Sequence, residues 1–467
     1  MGRRNWVGIL LAGCTALSFG NVAKADTLAD ALVGAYNTSG LLEQNRAVLR
    51  AADEDVAQAV AALRPVLNWS ADVTRSFGRS GTTTGTVVGF ADNEANIGLT
   101  AELTLYDFGA TKLNIDAAKE AVLATREALV GVEQEVLLRA VSAFFEVRRA
   151  SQDVELRQSN LRLITRELRA ARDRFDVGEV TRTDVSLAEA RLAAARAALA
   201  ASQGSLAVAQ QEYAAVVGRK HTGPLQAPRS RPSLPGSVDQ AMSVAVRNHP
   251  DLKAAQHQVT VAELNIAIAQ AAMKPTVSLS GRYGLSDDLD SDAYTAGGSV
   301  SLSAQGPIYQ GGRLSSLVRQ SMANRDQRRA ILLQTTTAIQ QNVANSYAQL
   351  AVARAAISAG QNQVRAAQIA FDGTREEASL GARTTLDVLD AEQELLDART
   401  TLISAGVDEF IAAYSVLAAI GSLTADSLNL PVQRYDPSVY YNLVKDAPVA
   451  SRQGEDLNRV LRALGKQ

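Results

Sequence analysis

Two periods run along this chain. Leu67, Trp69, Ala71 and Val73 alternate with Asn68, Ser70, Asp72 and Thr74, and Ile97, Leu99, Ala101, Leu103 and Leu105 alternate with Gly98, Thr100, Glu102 and Thr104. The pattern returns at Val277 and Leu279 against Ser278 and Ser280, and at Val300, Leu302 and Ala304 against Ser299, Ser301, Ser303 and Gln305. A period of two puts one kind of side chain on each face of a strand, so four strands are expected, each apolar on one side and polar on the other. The intervening stretches 78–93 and 284–298 are rich in Gly, Ser, Thr and Asp and read as hairpin loops.

Elsewhere the period is that of packed helices. Leu161, Ile164, Leu168, Ala171 and Phe175 step by three and four, as do Val364, Ala367, Phe371, Thr374 and Ala378. Val185, Leu192, Leu199, Leu206 and Tyr213 recur every seven residues, and so do Leu389, Leu396, Ile403, Phe410 and Leu417, which predicts coiled-coil packing. Residues 111–175 hold no proline. At about 1.5 Å per residue such a helix reaches on the order of 100 Å, a rod rather than a globular core.

The two halves share one plan. Tyr106, Gly109, Gly178, Asp184, Glu189 and Gly218 recur 203 residues later as Tyr309, Gly312, Gly381, Asp387, Glu392 and Gly421. Upstream, Pro65 matches Pro275 at an offset of 210, so the first half holds seven extra residues before Tyr106, expected in an exposed loop. The chain therefore divides into residues 26–218 and 237–423, each reading helix, strand, loop, strand, long helix, turn, helix. Between them, 219–236 is a linker with Pro224, Pro228, Pro232 and Pro235. A polar tail follows at 424–467, where Leu457, Val460, Leu461 and Leu464 are spaced for a short amphipathic helix.

Composition agrees with long helices: of 467 residues only 11 are proline and 5% are aromatic. A net charge of -2 leaves no basic footprint, which excludes nucleic acid as a partner. Residues 1–25 read as an export signal, with Arg3 and Arg4, an apolar run opening at 7–11, and Ala23-Lys24-Ala25 as the cleavage site. Leu11-Ala12-Gly13-Cys14 also resembles a lipobox, and Cys14 is the only cysteine, so the mature chain is expected to hold no disulfide. Beyond the signal no run of eighteen apolar residues is found, so a membrane role would fall to the strands. Strands of about ten residues are long enough to cross an outer membrane at a tilt, but four cannot close a barrel. Either several chains pool their strands, or the sheet covers a soluble periplasmic coiled-coil scaffold.

Three motifs carry a resemblance. Residues 103–109, Leu-Thr-Leu-Tyr-Asp-Phe-Gly, and 305–312, Gln-Gly-Pro-Ile-Tyr-Gln-Gly-Gly, look like the strand-to-helix junctions of the TolC-like outer-membrane factor (outer membrane efflux protein) family. Asn248-His249-Pro250-Asp251-Leu252 is similar to that family's early-helix motif, and residues 381–390 closely resemble its periplasmic tip. The likeness spans about residues 27–425. It implies a mixed α and β fold: a twelve-stranded transmembrane β-barrel shared by a homotrimer and continued by a long coiled-coil periplasmic tunnel, closed at its tip until an inner-membrane pump and a periplasmic adaptor dock. The implied function is an exit duct for type I protein secretion, small-molecule efflux or both, with outer-membrane lipid around the barrel. Thr104 stands where the family has a proline, which bears on how that strand enters its helix, and Ala378 stands where close relatives have a tyrosine.

The candidate site follows from these motifs. Asp387 and Asp390 lie three apart, on one helix face, and a trimer would repeat them as a ring of six carboxylates favouring cations, with raised proton affinity. By resemblance, Arg383, Thr183 and Asp184 belong to links between neighbouring helices that hold the tip shut, and Tyr106, Gly109, Pro307, Tyr309 and Gly312 mark the strand-to-helix junctions. The sequence also supports a plainer role: Thr181 with Asp184, and Thr384 with Asp387, fit helix N-terminal capping boxes, and Asp390 reads as a solvated surface carboxylate. His221, His249 and His257 have no metal-ligand spacing, and no nucleophile elbow, phosphate loop or dinucleotide fingerprint is present. No enzyme activity, metal or cofactor is therefore expected.

Overall fold

A computed structural model describes residues 26–447 apart from 82, 222 and 229, together with 455, 459, 462 and 463. The expected export signal with Cys14, and the tail positions Leu457, Val460, Leu461 and Leu464, lie outside the described residues. In chain order the elements are α1 (Leu28–Thr38), α2 (Gly40–Ala61), β1 (Val66–Gly81), β2 (Val87–Tyr106), α3 (Ala110–Asp176), α4 (Arg182–Val217), α5 (Val238–Asn248), α6 (Pro250–Ala271), β3 (Thr276–Asp288), β4 (Tyr294–Gln305), α7 (Arg313–Ser379), α8 (Thr385–Ala419) and α9 (Pro437–Val444). The repeat read from sequence is thus repeated in structure, down to α3 and α7, which are 67 residues each.

Local chemistry sets the helix boundaries. Thr27 and Ser39 cap α1 and α2, Ser237 caps α5, and His249 caps α6 with Pro250 at its first position. Helices α4 and α8 run into Gly218 and Gly421, both left-handed at φ 79° and 77°. Each glycine also lies against the joint between the short helices of its own repeat: a Cβ on Gly218 would meet Thr38 at 2.6 Å, and one on Gly421 would meet the His249 backbone at 2.8 Å. Glycine is required at both points by backbone and by contact.

The four strands form one antiparallel sheet in the order β1-β2-β3-β4, leaving β1 and β4 as edges that are unpaired among the described residues. Facing partners lie on the same side of a sheet, so the register sorts the side chains. Trp69, Leu99 and Tyr283 share one face with Ile97, Val300 and Leu302, all exposed. The other face carries Asp72 beside Asn96, Glu94 bonded by Ser286, and the pairs Ser278 to Ser303 at 2.9 Å and Ser280 to Ser301 at 2.8 Å.

The strands are longer than the sequence reading allowed. Most of 78–93 and part of 284–298, which read as hairpin loops from sequence, are paired strand, and among the described residues only 83–86 and 289–293 turn the chain. Past Glu94 and Asp288 the β1–β2 hairpin continues as a two-stranded ribbon for seven more residues of β2, about 20 Å. Gly78 fits there because the Phe90 ring covers it, 2.9 Å from where a Cβ would be. Glycine and serine suggest a loop when read singly; what makes them strand is the cross-strand partner.

A second correction concerns membrane-crossing helices. Helices α4 and α8 are long and apolar enough by composition to cross a membrane. The apolarity of α4 is largely alanine and that of α8 largely leucine, valine and isoleucine, and they lie along α3 and α7 as the second arms of two helical hairpins.

The largest core is a belt partway along the long helices. There Leu32 of α1, Phe144 and Phe145 of α3, Tyr213 of α4, Ala245 of α5, Val343 of α7 and Leu417 of α8 are buried together, with the Phe145 and Phe410 rings stacked at 4.9 Å. The proline-rich linker has no helix or strand among its described residues and is tied onto this belt. Arg231 reaches the buried Glu409 carboxylate at 2.7 Å, and the Tyr347 hydroxyl donates to the Pro235 carbonyl at 2.8 Å. The described part of the tail, which the sequence left without a task, also straps the belt. Tyr440 donates to Glu54 at 2.6 Å, the Ala425 amide donates to Glu133 at 2.6 Å, the Arg46 guanidinium lies 5.2 Å from the Tyr435 ring, and Arg126 lies 5.0 Å from Tyr441.

Candidate functional site

The two helical hairpins end in matching five-residue turns. Each passes through a left-handed glycine, Gly178 at φ 81° or Gly381 at φ 77°, and restarts at a threonine cap. At the second turn the Thr384 amide and hydroxyl donate to Asp387 Oδ2 at 2.9 and 2.8 Å, and the Asp387 amide donates back to Thr384 Oγ1 at 3.2 Å. Thr181 and Asp184 repeat this at the first turn, at 2.9, 2.7 and 3.4 Å. Asp184 and Asp387 therefore do cap their helices, and Thr183 lies exposed beside the first cap.

Arg383 pairs with Glu377 of its own hairpin at 2.9 Å. Asp390 instead crosses between hairpins, its Oδ1 2.6 Å from Arg191 of α4, and Arg375 of α7 reaches Glu167 of α3 at 3.6 Å. Apolar residues interlock beneath these ion pairs. Leu389 of α8 is buried among Ile164, Leu168 and Leu192 of the first hairpin, while Leu163 of α3 packs against Phe371 and Leu395 of the second. Ala378 lies in that second cluster, buried and without a hydroxyl to bridge anything. Surface ion pairs of this kind add little stability, so the interlocked leucines carry the contact between hairpins.

Within one chain the Asp387 carboxyl is held below the usual carboxylate range by hydrogen bonds from the Thr384 amide and hydroxyl, with the Arg383 charge adding to the effect. The raised proton affinity expected for crowded aperture carboxylates is thus not a property of the single chain. A depressed pKa means that the cap contributes above the ordinary aspartate range and is lost as pH falls through the folded value. The first turn of α8 is accordingly expected to fray only on the acid side of about pH 4. Hydrogen exchange corrected for its intrinsic pH dependence checks this, and Asp387→Asn should flatten the profile.

Sequence reasoning missed two apolar side chains at this end. Val177 and Leu380, again 203 apart, sit 71% and 79% exposed at the two turns. The available signal was an apolar residue before each turn glycine, in the same slot of both repeats. It also missed Glu392 and Asn160, buried between the hairpins, because burial of a polar residue is set by packing rather than by local pattern.

At the opposite end of the long helices lie the strand-to-helix junctions. Tyr106 stacks at a tilt on Phe108, 4.8 Å between centroids, and the chain turns through left-handed Phe108 and Gly109 into α3. Asp107 fixes the turn by accepting from the Gly109 and Thr111 amides at 3.0 and 2.6 Å. In the second repeat β4 stops at Gln305, ahead of Pro307, and Tyr309 is exposed before left-handed Gly312. Thr104 explains the difference: with an amide where proline has none, β2 stays paired to Tyr106, through a register shift between Thr104 and Tyr106.

The histidines have structural partners: His257 with Glu120 at 2.7 Å, His221 with the Gly223 carbonyl at 2.9 Å, and His249 with the Asp251 amide at 3.2 Å. Among the described residues the one group of acids close enough to share an ion is Asp92, Asp288 and Asp290 at the strand tips, where Asp290 already binds Asn93.

Comparison with known proteins places this architecture. The model of the family described as outer membrane efflux protein matches twice, over residues 35–219 and 241–422. Over 442 residues the chain is 37% identical to the outer membrane efflux protein BepC of Brucella suis biovar 1 (strain 1330), covering 94% of each protein. It is 26% identical over 442 residues to the outer membrane protein TolC of Escherichia coli (strain K12), covering 90% of this chain and 87% of TolC. Among solved structures, the Campylobacter jejuni CmeC outer membrane channel has the same fold, with a TM-score of 0.74 at 15% identity over 90% of this chain and 89% of that one.

Proposed function

This chain belongs to the outer membrane efflux protein family, and from that premise we propose that three copies assemble into one duct whose periplasmic tip is closed by the α3–α4 and α7–α8 hairpins and opened by a docking adaptor and pump. The chain is an outer-membrane channel subunit with a periplasmic helical tunnel, not an enzyme, and the alternative of a soluble periplasmic scaffold falls with that membership. Family members form trimers and work with efflux pumps.

The observation that carries the proposal is the open sheet. Its apolar face is largely exposed, its polar face is lined with serines and carboxylates, and among the described residues neither edge strand has a partner on its outer side. Backbone groups on such an edge cannot remain unpaired in lipid, at a cost of several kcal/mol each, so β4 of one copy pairs with β1 of the next. Three copies of four strands make twelve.

At the other end, Asp387 and Asp390 of three chains form the aperture, while Arg383, Thr183 and Asp184 steady the turns that frame it. Val177 and Leu380 offer the adaptor an apolar foothold at every turn. The cargo is small molecules, proteins or both, as the partner pump dictates. Detergent-purified protein reconstituted in planar bilayers is expected to give discrete, cation-preferring channels. Protein that stays in the soluble periplasmic extract and leaves bilayers silent would contradict the proposal.

A further inference from the structure

Glu392 is a carboxylic acid in the wrong place for a solvated helix. It lies two turns into α8, only 5% exposed, facing the neighbouring hairpin, and there Asn160 of α3, itself 8% exposed, donates a hydrogen bond to its Oε1. Its counterpart in the first repeat, Glu189, is exposed and paired with Arg172 at 2.5 Å. The buried position therefore belongs to the seam between the two hairpins rather than to the repeat.

We propose that Glu392 positions the α7–α8 hairpin against the α3–α4 hairpin: with its proton the uncharged carboxyl stays buried in the seam beside Asn160, and without it the buried charge drives the seam apart and the tip relaxes open. This rests on the tip being the gate of the channel proposed above.

The charges around the latch give its direction. Glu167 faces Glu392 from α3, and Arg191 faces it from α4. Arg191 is already engaged by Asp390 at 2.6 Å, and Glu167 is only loosely met by Arg375 of α7 at 3.6 Å, so little positive charge is free to neutralise a second carboxylate. Burial, helped by the Glu167 charge and opposed by the Asn160 hydrogen bond and Arg191, pushes the Glu392 carboxyl up to about 7. A pKa raised in the latched state means that latching is fully favoured below the ordinary glutamate range and is lost as pH rises through about 7. From about pH 6 to about pH 8 the ionised fraction climbs from roughly one tenth to nine tenths. A glutamate freed into water returns to its ordinary value, so full ionisation shifts the latch equilibrium of each hairpin pair by a factor on the order of 100.

The test uses the purified channel in planar bilayers without pump or adaptor. Wild-type single-channel conductance is expected to rise at least about twofold between pH 6 and pH 8, and Glu392→Gln, a neutral mimic of the latched acid, should hold the low-pH value throughout. Asp53, buried on α2, is pushed up to about 6 by desolvation, so the glutamine variant rather than the profile alone assigns the effect. Asn160→Ala removes a bond that favours the ionised acid and should move the midpoint to higher pH. Wild-type channels whose conductance ignores pH, a glutamine variant that tracks wild type, or an unmoved midpoint in Asn160→Ala overturns the latch alone. A wild-type protein that forms no channels overturns the channel reading and the latch with it.

Discussion

Arginine at Leu99 is expected to abolish recovery of the protein as a trimer from the outer membrane. Leu99 lies mid-strand in β2, 60% exposed, with Trp69 and Tyr283 opposite it on the neighbouring strands, in the apolar band of the sheet. In a barrel that band meets lipid, where arginine costs about 2–4 kcal/mol at mid-depth, or roughly 6–12 kcal/mol over three chains. That range is comparable to the whole stability of an ordinary domain. Asn68→Arg, one residue before Trp69 on the polar face of β1, is the control: it places the same charge in water and should leave assembly unchanged. Membrane fractionation and light scattering of the detergent extract read both variants. Equal recovery of the two would mean that the apolar face does not meet lipid.

The second large effect is on ion selectivity. Replacing Asp387 and Asp390 together with asparagine removes six carboxylates per trimer while keeping side-chain shape. If these residues frame the aperture, cation preference should collapse and block by multivalent cations should weaken, with the fold retained. The single variants should differ. Asp387→Asn alters charge beside a cap that Thr384 still supports, so selectivity changes at nearly constant conductance. Asp390→Asn also strips Arg191 of its partner across the two hairpins, so conductance should rise as well. Wild-type selectivity and wild-type block in the double variant would leave helix capping as the sole role of Asp387.

What the sequence revealed depended on whether a feature is local. Alternation at 67–74 and 97–105 located the strands, heptads located the hairpins, and the offset of 203 matched the turn glycines, because each reflects a face presented every two, seven or 203 residues. Capping at Thr181 and Thr384 was legible for the same reason: donor and acceptor lie three residues apart. The extent of the β1–β2 hairpin was not, since Gly78 becomes strand only under Phe90. Nor was the pairing of Asp390 with Arg191, 199 residues away, which makes a surface carboxylate into a tie between hairpins. The repeat itself concealed Glu392, whose sequence equivalent Glu189 points to solvent. Three tyrosines at 435, 440 and 441, in a chain with 5% aromatic residues, hinted that the tail docks, but their partners on α2 and α3 lie more than 300 residues earlier.

The central claim is that the open four-stranded sheet is one third of a barrel. Electron-microscopy projections of detergent-extracted particles test it most directly. The account predicts a threefold ring in end view and, in side view, a long stalk on the order of 100 Å, the length of α3 and α7. Monomers with a free sheet edge, or particles of any other symmetry, would contradict it.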